Sequence, residues 1–351
     1  MTAAFFSVVP SPYQRDLFAA LARRTELDLR VYYLEAEAPD SPWPARPLAA
    51  YEQVLPGTWL ALGSARCHVN RLPDLRDCDM VVLNTLMSFT AQWLMRVTLR
   101  RRPWVFWGER LNRGGRLHAL LSAPLHRAAG IASIGSFAEG DYRERFHEPR
   151  HRCIPYYCEL APFLETVRHR PSADEITFLF CGQMIARKGV DLLLEAFRRL
   201  DSRARLLLVG REGELPPLLA ALPPEARARI TYAGFQPPEE LPRFFAQADV
   251  FVLPSRYDGW GVVVNQALGA GLPIVCSDLV GAGHDLVEPE VNGLRFRAGD
   301  VDTLMAALSR LMAEPELLAP WGEASRRKAA EMLPDQGAER WVRLLEEVTA
   351  A

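Results

Sequence analysis

Two stretches in the second half of the chain join glycine turns, a charged loop and the start of an apolar helix. In the first, "FLFCGQMIARKGVDLLLEAF", a strand-like run ends at Gly182, and a loop with Arg187 and Lys188 leads through Gly189 into a helix. Unpaired N–H groups at a helix start carry about half a positive charge, which suits a phosphate. Lys188 is one of two lysines among 41 basic residues, so a compact ammonium at this loop predicts an anion site. A solvated loop cation is the alternative.

The second stretch is "SRYDGWGVVVNQALGAGLPIVCS". Asp258 follows a strand-like run, and Gly259-Trp260-Gly261 lets backbone N–H groups approach a ligand closely. Gln266 lies eight residues beyond Asp258 on the helix that follows. A diphosphate between the two helix starts would meet positive dipole ends from both sides. Each stretch alone is compatible with plain loop-to-helix packing, but two in this order favour a diphosphate site.

Strand-like and amphipathic helical runs alternate in both halves of the chain, which predicts an α/β protein with parallel sheets covered on both faces. The first half has predicted strands at 3–9, 29–34, 80–84, 103–107, 130–135 and 152–157, and predicted helices at 14–24, 88–101, 116–128 and 136–146. The second half has predicted strands at 176–182, 204–210, 229–234, 249–255, 272–277 and 292–296. Its predicted helices are 189–200, 238–248, 261–269, 302–313 and 316–349, the last with a break near Pro334.

The charged segment "LETVRHRPSADE" (164–175) interrupts the alternation and is predicted to be a linker. We expect a first Rossmann-like domain at 1–165 and a second at 172–333. Residues 334–351 are expected to form a C-terminal helix, and whether this helix crosses back to the first domain is left open. Open parallel sheets bind ligands at the carboxyl ends of their strands, so the active site is expected between the two domains.

The composition fits a globular protein of two domains, with 351 residues, 49% hydrophobic residues and a net charge of −2. No apolar run approaches the ~20 residues of a membrane span, and a cytoplasmic location is expected. The six cysteines lack a C-x-x-C pair and indicate reduced core residues. A nucleic-acid partner is not expected. The segment "MRVTLRRRPW" contains four arginines, whose positive charges suit the C-terminus of a helix. This interpretation is favoured over membrane docking and over binding of an acidic acceptor. A weak peripheral contact with the inner membrane face stays open.

Several common sites are missing from the sequence. Neither half has G-x-G-x-x-G after its first strand, which argues against a nicotinamide dehydrogenase, and there is no Walker A motif. The single D-x-D, at Asp77 and Asp79, precedes a strand and is interpreted as its polar entrance. Neither a metal nor a cofactor is expected.

The motifs of residues 176–313 resemble the nucleotide-sugar half of GT-B glycosyltransferases of the retaining family 4 type. "GQMIARKGVDLLLEAF", "LLLVGREGEL", "ITYAGFQPPEELPRFFAQADVFVLPSRYDGWG" and "QALGAGLPIVCSD" follow the order of that family. The resemblance implies two Rossmann-like domains facing each other across a cleft and a nucleoside-diphosphate sugar as donor. It implies donor-binding residues at Gln183, Arg187, Lys188, Gly210, Phe235, Asp258, Gly259, Trp260, Gly261 and Gln266.

The sequence departs from the family at three of these positions. Gln183 stands where the family has an arginine, and Asp258 and Gln266 replace two glutamates that bind the donor sugar and the ribose. An amide still binds a diol but without charge assistance, which we expect to weaken donor binding by on the order of 1–2 kcal/mol. Asp258 is one methylene shorter than glutamate, so the sugar must lie closer or a water must bridge.

The resemblance also implies a mechanism. The nucleoside diphosphate leaves the anomeric carbon, and Lys188 with the N–H groups of 259–261 stabilises its developing charge without a metal. Retention of anomeric configuration is implied by the family alone. Lys188, Asp258 and Glu109 are the predicted catalytic residues.

The first domain is expected to bind a glycan, lipid-linked or small-molecule acceptor. Ser11, Tyr13 and Arg15 lie where the family often has a glycine-rich loop, and Glu109 and Arg110 end a strand in "WVFWGERLNR". A surface salt bridge of Glu109 with Arg110 or Arg113 is an equal alternative. Tyr156 and Tyr157 are expected to line the cleft. His118 and His126 are interpreted as packing or surface residues.

Two other functions remain open at this point. A nucleotide-sugar 2-epimerase shares the architecture but would need further carboxylates and histidines. A catalytically weakened or inert nucleotide-sugar-binding partner is favoured to some degree by Gln183 and Gln266. The oligomeric state, the sugar and the acceptor are not specified by the sequence.

Overall fold

The computed structural model describes residues 1–37, 46–62, 65–111, 114–167 and 175–350. The chain divides into two compact units, one of residues 1–158 with 334–351 and one of residues 159–333. Most of the predicted linker, residues 168–174, lies outside the described residues.

The first unit has a seven-stranded sheet in the order β3-β2-β1-β6-β7-β8-β9. All neighbouring strands in it pair in parallel. Its strands, with the separate antiparallel hairpin β4–β5, are β1 Thr2–Ser7, β2 Asp28–Tyr33, β3 Glu52–Val54, β4 Gly57–Leu62, β5 Ala65–Asn70, β6 Met80–Leu83, β7 Trp104–Gly108, β8 Gly130–Ser133 and β9 Arg150–Cys153.

Four helices of the first unit connect these strands. They are α1 Pro12–Ala22, α2 Phe89–Trp93, α3 Arg116–Ser122 and α4 Ser136–Arg145. The predicted single helices at 88–101 and 116–128 are each divided: a π-helical turn, Leu94–Thr98, continues α2, and a 3-10 turn, Ala123–Arg127, continues α3. Pro124 has no N–H to donate to an α-helical hydrogen bond, which explains the second change.

The second unit has a six-stranded parallel sheet in the order β12-β11-β10-β13-β14-β15. Its strands are β10 Ile176–Cys181, β11 Ala204–Val209, β12 Ile230–Tyr232, β13 Val250–Leu253, β14 Ile274–Ser277 and β15 Gly293–Phe296. Its helices are α5 Ala161–Leu164, α6 Val190–Phe197, α7 Leu215–Ala220, α8 Pro224–Arg227, α9 Leu241–Phe245, α10 Val263–Gly269, α11 Gly281–Leu286, α12 Val301–Ala313 and α13 Leu318–Ala329. Short 3-10 turns precede or follow several of them, at Ala186–Lys188, Pro238–Glu240, Pro315–Leu317 and Ala330–Met332.

The last helix, α14 Pro334–Thr349, belongs to the first unit. Trp341 is fully buried there, with its ring 5.0 Å from that of Phe5 and 5.3 Å from that of Trp107. The burial of this large side chain fixes α14 to the core of the first unit.

Strand order reverses once in each large sheet. In the second unit β10 lies between β11 and β13, so the loops that follow β10 and β13 diverge from neighbouring strand ends. Such a switch point opens a crevice at the carboxyl edge of a parallel sheet. The two motif loops of the second unit, 182–189 and 254–262, therefore begin on either side of this crevice.

Candidate functional site

The loops after β10 and β13 are joined by hydrogen bonds. The backbone N–H of Arg256 donates to the Arg187 carbonyl at 2.8 Å, and the Arg256 guanidinium donates to the Ala186 carbonyl at 2.5 Å. Arg187 itself is exposed, and its guanidinium donates to the Tyr257 carbonyl at 3.2 Å. These contacts hold the two loops as one structural element.

Glycine is required where the two loops approach most closely. Gly189 has φ +73°, and a Cβ at this position would lie 2.0 Å from the Pro254 carbonyl oxygen. A residue with a Cβ therefore has no space in this left-handed turn. Gly210, which follows β11, is similarly constrained: with φ +139°, its Cβ would lie 1.8 Å from the Gly182 carbonyl oxygen.

The centre of the site is an ion pair between the loops. The Lys188 ammonium lies 2.5 Å from a carboxylate oxygen of Asp258, and the two side chains retain 16% and 12% of their exposure. The Ser255 hydroxyl is 3.4 Å from the same oxygen. The backbone of Asp258 is fixed by hydrogen bonds to Leu279 and Gly281 at 3.0 Å each. The structure thus brings together two residues that are seventy positions apart in the sequence.

The turn after Asp258 presents unpaired backbone donors. Within the described part of the chain, the N–H groups of Gly259, Trp260 and Gly261 donate no hydrogen bond. The Trp260 side chain is buried, and its indole N–H donates to Asn265 at 3.0 Å. It therefore anchors the turn, and only its backbone is available to a ligand. Helix α10 begins at Val263, two residues later than predicted.

The start of α6 is already partly neutralised by the protein. Asp191 lies in its first turn and forms a two-fold ion pair with Arg256 at 2.6 and 2.7 Å. Burial opposes ionisation of Asp191, but the hydrogen bonds and charge of Arg256 lower its pKa below the ordinary value of 3.8. Arg256 is thereby neutralised, whereas Lys188 pairs with Asp258. The exposed Arg187 guanidinium contacts only the Tyr257 carbonyl within the described ranges. Arg256 and Asp191 were not predicted as site residues, because their pairing depends on a tertiary contact.

The remaining predicted donor residues lie on the same carboxyl edge. Gln266 is half-buried on α10, and its side-chain amide has no hydrogen-bond partner among residues that the structure describes. Gln183 is half-buried directly after β10. Phe235 is 43% exposed and follows β12, the outer strand of the sheet, so it lies farther from the β10–β13 crevice than the other residues.

In the first unit, the predicted acceptor residues fall into separate environments. Arg15 makes a bidentate ion pair with Glu52 at 2.7 and 2.9 Å and also donates to the Pro47 carbonyl at 2.7 Å. The Glu52 side chain is fully buried and accepts a further hydrogen bond from Tyr33 at 2.6 Å. Arg15 therefore fixes the chain before β3. Its role towards an acceptor stays a prediction.

Ser11 precedes α1 at the carboxyl edge of the first sheet. Its hydroxyl is buried and, with that of Ser7 at the end of β1, has no hydrogen-bond partner in the described ranges. The Ser11 side chain does not cap α1. Two buried hydroxyl groups at a strand end are thus available for hydrogen bonding.

A polar network surrounds Glu109. The Tyr156 hydroxyl hydrogen-bonds the side chains of Asn84 and Glu109, and Gln14 donates to Asn84 at 3.0 Å. Burial, and then the Glu109 carboxylate, raises the pKa of Tyr156 well above its ordinary value, so the phenol stays protonated and donates. The ring of Tyr13 lies 4.7 Å from that of Tyr156. Tyr13 and Glu109 are accordingly held around one buried tyrosine.

The predicted salt bridge of Glu109 with Arg110 is not formed. Arg110 instead pairs with Asp141 at 2.5 Å and covers the ring of Phe137 at 4.1 Å. Because α4 places Asp141 beside β7, the guanidinium has a better-shielded partner than the exposed Glu109. Arg113 lies outside the described residues.

The D-x-D segment is engaged in the entrance of β6. Asp77 pairs with Arg30 at 2.8 Å, and Asp79 accepts a hydrogen bond from the Thr2 backbone at 2.8 Å. Among the described residues there is no group of three or more His, Cys, Asp or Glu side chains able to hold a metal ion. All six cysteines are free. No helix in the described ranges has the length and apolar character required to cross a membrane.

Residues 165–328 match the sequence model of the family "Glycosyl transferases group 1". The chain is 30% identical over 145 residues to the uncharacterized glycosyltransferase MJ1607 of Methanocaldococcus jannaschii, covering 40% of this chain and 37% of that protein. It is 29% identical over 204 residues to the O-antigen chain mannosyltransferase B of Escherichia coli, covering 53% and 52%. The structure is similar to Anabaena Alr3699/HepE in complex with UDP, with a TM-score of 0.76, 15% identity, and 99% and 100% of the two chains covered.

The fold is therefore GT-B, with two Rossmann-like α/β units. The match to the glycosyl transferases group 1 family lies within the second unit. The matched part of the chain spans 37% of the length of the Methanocaldococcus jannaschii protein and 52% of that of the Escherichia coli protein.

Proposed function

We propose that the chain is a glycosyltransferase that moves a sugar from a nucleoside-diphosphate sugar to a glycan, lipid-linked or small-molecule acceptor. One observation carries the proposal: the Lys188–Asp258 pair lies at the β10–β13 switch point, next to the N–H groups of 259–261, which have no acceptor within the described part of the chain. A cation and aligned N–H donors suit a diphosphate, and a carboxylate beside them suits sugar hydroxyls.

The pair has a specific use in this reaction. In the free protein the ammonium and the carboxylate neutralise each other at 2.5 Å. A bound diphosphate would share the ammonium, and Asp258 could then accept a hydrogen bond from the donor sugar. When the glycosidic bond to phosphate breaks, Lys188 and the 259–261 turn stabilise the negative charge on the leaving group. We propose that the transfer retains anomeric configuration and requires no metal.

Two similar proteins indicate the class of donor. HepE was solved with UDP, and the Escherichia coli relative is a mannosyltransferase by name. We propose a nucleoside-diphosphate hexose as donor and a polysaccharide or lipid-linked glycan as acceptor. Glu109, held by Tyr156, is the proposed polar contact to the acceptor in the first unit. A cytoplasmic location is proposed because all six cysteines are free thiols.

The experiment that tests this function is a panel of nucleoside-diphosphate sugars, with release of nucleoside diphosphate measured in water and with simple glycosides present. We expect one donor class to be turned over, and Lys188→Ala to lower kcat/KM by about 10²-fold or more. The matched control is Lys328→Ala, which removes the other lysine, a surface residue paired with Glu331. Absence of turnover with every donor, or an equal effect of the two substitutions, would contradict the proposal.

A second candidate function is an inert nucleotide-sugar-binding partner. The amide of Gln266, which has no partner among the described residues and stands where the family has a carboxylate, favours it. It predicts donor binding without any release of nucleoside diphosphate.

A further inference from the structure

The first unit exposes large apolar side chains on the surface formed by α2, the π-helical turn that follows it, and α3. Phe89 is 48% exposed, Trp93 58% and Leu117 63%. We define the α2–α3 surface by these residues with Met87, Val97 and Leu120, all exposed. Clustered exposed apolar side chains of this size mark an interaction site more often than a free surface.

The two helices of this surface are fixed side by side. The Arg96 guanidinium donates to the Leu120 carbonyl at 2.6 Å, and the Gln92 amide donates to the Leu121 carbonyl at 3.0 Å. Phe89, Trp93 and Val97 recur every four residues and therefore share one side. Ala91, Leu94 and Met95 are buried on the other. The exposed apolar side chains are thus held by a packed element.

The sequence segment that carries this surface is strongly basic. Residues 80–138 contain one acidic side chain, Glu109, and eight arginines, although the whole chain has a net charge of −2. The arginines are Arg96, Arg100, Arg101, Arg102, Arg110, Arg113, Arg116 and Arg127. Arg102 donates to the carbonyls of Leu75 and Cys78, whereas Arg100, Arg101 and Arg116 are exposed and have no partner among the described residues. Arg100 and Arg101 follow the end of the π-helical turn, as predicted, whereas Arg116 is the first residue of α3 and so does not lie at a helix C-terminus.

We propose that the α2–α3 surface docks on an anionic lipid bilayer. Tryptophan, phenylalanine and leucine side chains insert favourably at the boundary of headgroups and acyl chains. Unpaired arginines beside them bind lipid phosphates while their stems stay in the apolar layer. Two copies of the same surface would bring together Arg100, Arg101 and Arg116, which have no carboxylate partner among the described residues, so self-association fits the charges less well.

The test is co-sedimentation of the full chain with vesicles of phosphatidylcholine alone or with one quarter phosphatidylglycerol. We expect binding to the anionic vesicles that weakens as salt is raised. Trp93→Ser with Phe89→Ser should abolish it, and Arg100→Gln with Arg101→Gln should lower the partition coefficient about tenfold or more. The matched charge control is the double variant Arg227→Gln with Arg327→Gln. These two arginines of the second unit are exposed and have no partners in the described ranges. This variant should bind vesicles like the wild type.

Thermal unfolding of each variant establishes that it folds, and nucleoside-diphosphate binding, which belongs to the second unit, should be unchanged in all of them. The proposal is overturned if the wild-type chain does not bind anionic vesicles, or if the Trp93 and Arg100 variants bind as it does. The proposal is also overturned if the chain does not bind vesicles but forms a dimer in sedimentation velocity, and Trp93→Ser dissociates that dimer. In that case the α2–α3 surface binds a second copy of the chain. Loss of sugar transfer with vesicle binding intact would bear on the proposed function alone.

Discussion

The Lys188 ammonium has a carboxylate 2.5 Å away in the free protein, that of Asp258. Both groups keep only a small exposed fraction, so each depends on the other for neutralisation. We therefore propose that the ligand of this pair carries both a negative group for the lysine and hydroxyl donors for the aspartate. A phosphorylated sugar has both kinds of group, whereas a simple anion has only one. On this proposal, the pair selects for ligands that carry both kinds of group.

Gln266 gives a residue-scale prediction. Gln266→Glu should tighten donor binding about tenfold, because a carboxylate accepts charge-assisted hydrogen bonds from two ribose hydroxyls where the amide oxygen accepts neutral ones. Calorimetry gives the dissociation constant, and donor hydrolysis gives the rate.

The control is Gln247→Glu, an exposed residue after α9 whose amide donates to the Arg243 carbonyl. An unchanged affinity in Gln266→Glu would remove Gln266 from the donor site. Tighter binding with no hydrolysis in either form would favour the inert partner.

At the scale of elements, the site depends on how closely the β10 and β13 loops approach. Gly189→Ala should abolish donor binding, because the new Cβ would lie 2.0 Å from the Pro254 carbonyl oxygen and push the loops apart. The clash should lower the free energy of unfolding by about 2 kcal/mol, in addition to the cost of placing alanine in a left-handed backbone conformation. Urea unfolding and calorimetry measure the two effects.

Gly299→Ala separates the backbone effect from the clash. Gly299 also has a left-handed φ, +82°, but its Cβ would have no atom within 4 Å. We expect a cost of about 1 kcal/mol and normal donor binding. Equal behaviour of the two variants would show that the approach of the loops does not matter.

The buried carboxylate that anchors β3 gives a prediction on pH. Burial opposes ionisation of Glu52, but hydrogen bonds from Arg15 and Tyr33 lower its pKa below the ordinary value of 4.5. Its stabilising contribution is therefore complete above about pH 4.5 and is lost as the pH falls through the folded-state value. Glu52→Gln should lower the free energy of unfolding by about 3 kcal/mol at pH 7, with a smaller loss on acidification than the wild type.

Urea unfolding from pH 7 to pH 3 measures this difference. The control is Glu331→Gln, which breaks the exposed pair with Lys328 and should cost less than about 1 kcal/mol at any pH. Parallel pH profiles for Glu52→Gln and the wild type would show that Glu52 does not contribute in this way.

The elements differ in how far they could be predicted. β10 and β13 are continuous runs of Ile, Val, Leu and Phe, and the predicted strands contain both. The hairpin β4–β5 was not predicted, since "GTWLAL" has a single β-branched residue and the strands pair antiparallel outside the main sheets. The predicted helix at 88–101 becomes α2 and a π-helical turn, in which Leu99 donates to the Leu94 carbonyl five residues back.

At the scale of the whole molecule, the pairings that assemble the site could not be predicted. Lys188 and Asp258 were each identified from their loops, but their contact follows from β10 lying next to β13, which is a property of the sheet order. The same holds for Arg15, whose partner Glu52 lies on a three-residue strand without a sequence signal. Local pattern indicates what a loop could bind, and tertiary pairing decides which groups remain available.

The charge balance of the molecule bears on metal dependence. If Lys188 and the N–H groups of 259–261 stabilise the leaving diphosphate, dialysis against EDTA should leave the rate of sugar transfer within about twofold of the untreated protein. Donor turnover before and after dialysis measures this. A loss of activity that Mg²⁺ or Mn²⁺ restores would show that the protein groups are insufficient.

The central claim is that the crevice between the β10 and β13 loops binds a diphosphate through Lys188. Titration calorimetry of the wild-type chain with UDP and GDP, each compared with its monophosphate, tests it most directly. We predict that a diphosphate binds at least about tenfold more tightly than the matching monophosphate, and that Lys188→Ala removes this difference while Lys328→Ala preserves it. Equal affinities for diphosphate and monophosphate, or a preference that survives Lys188→Ala, would contradict it.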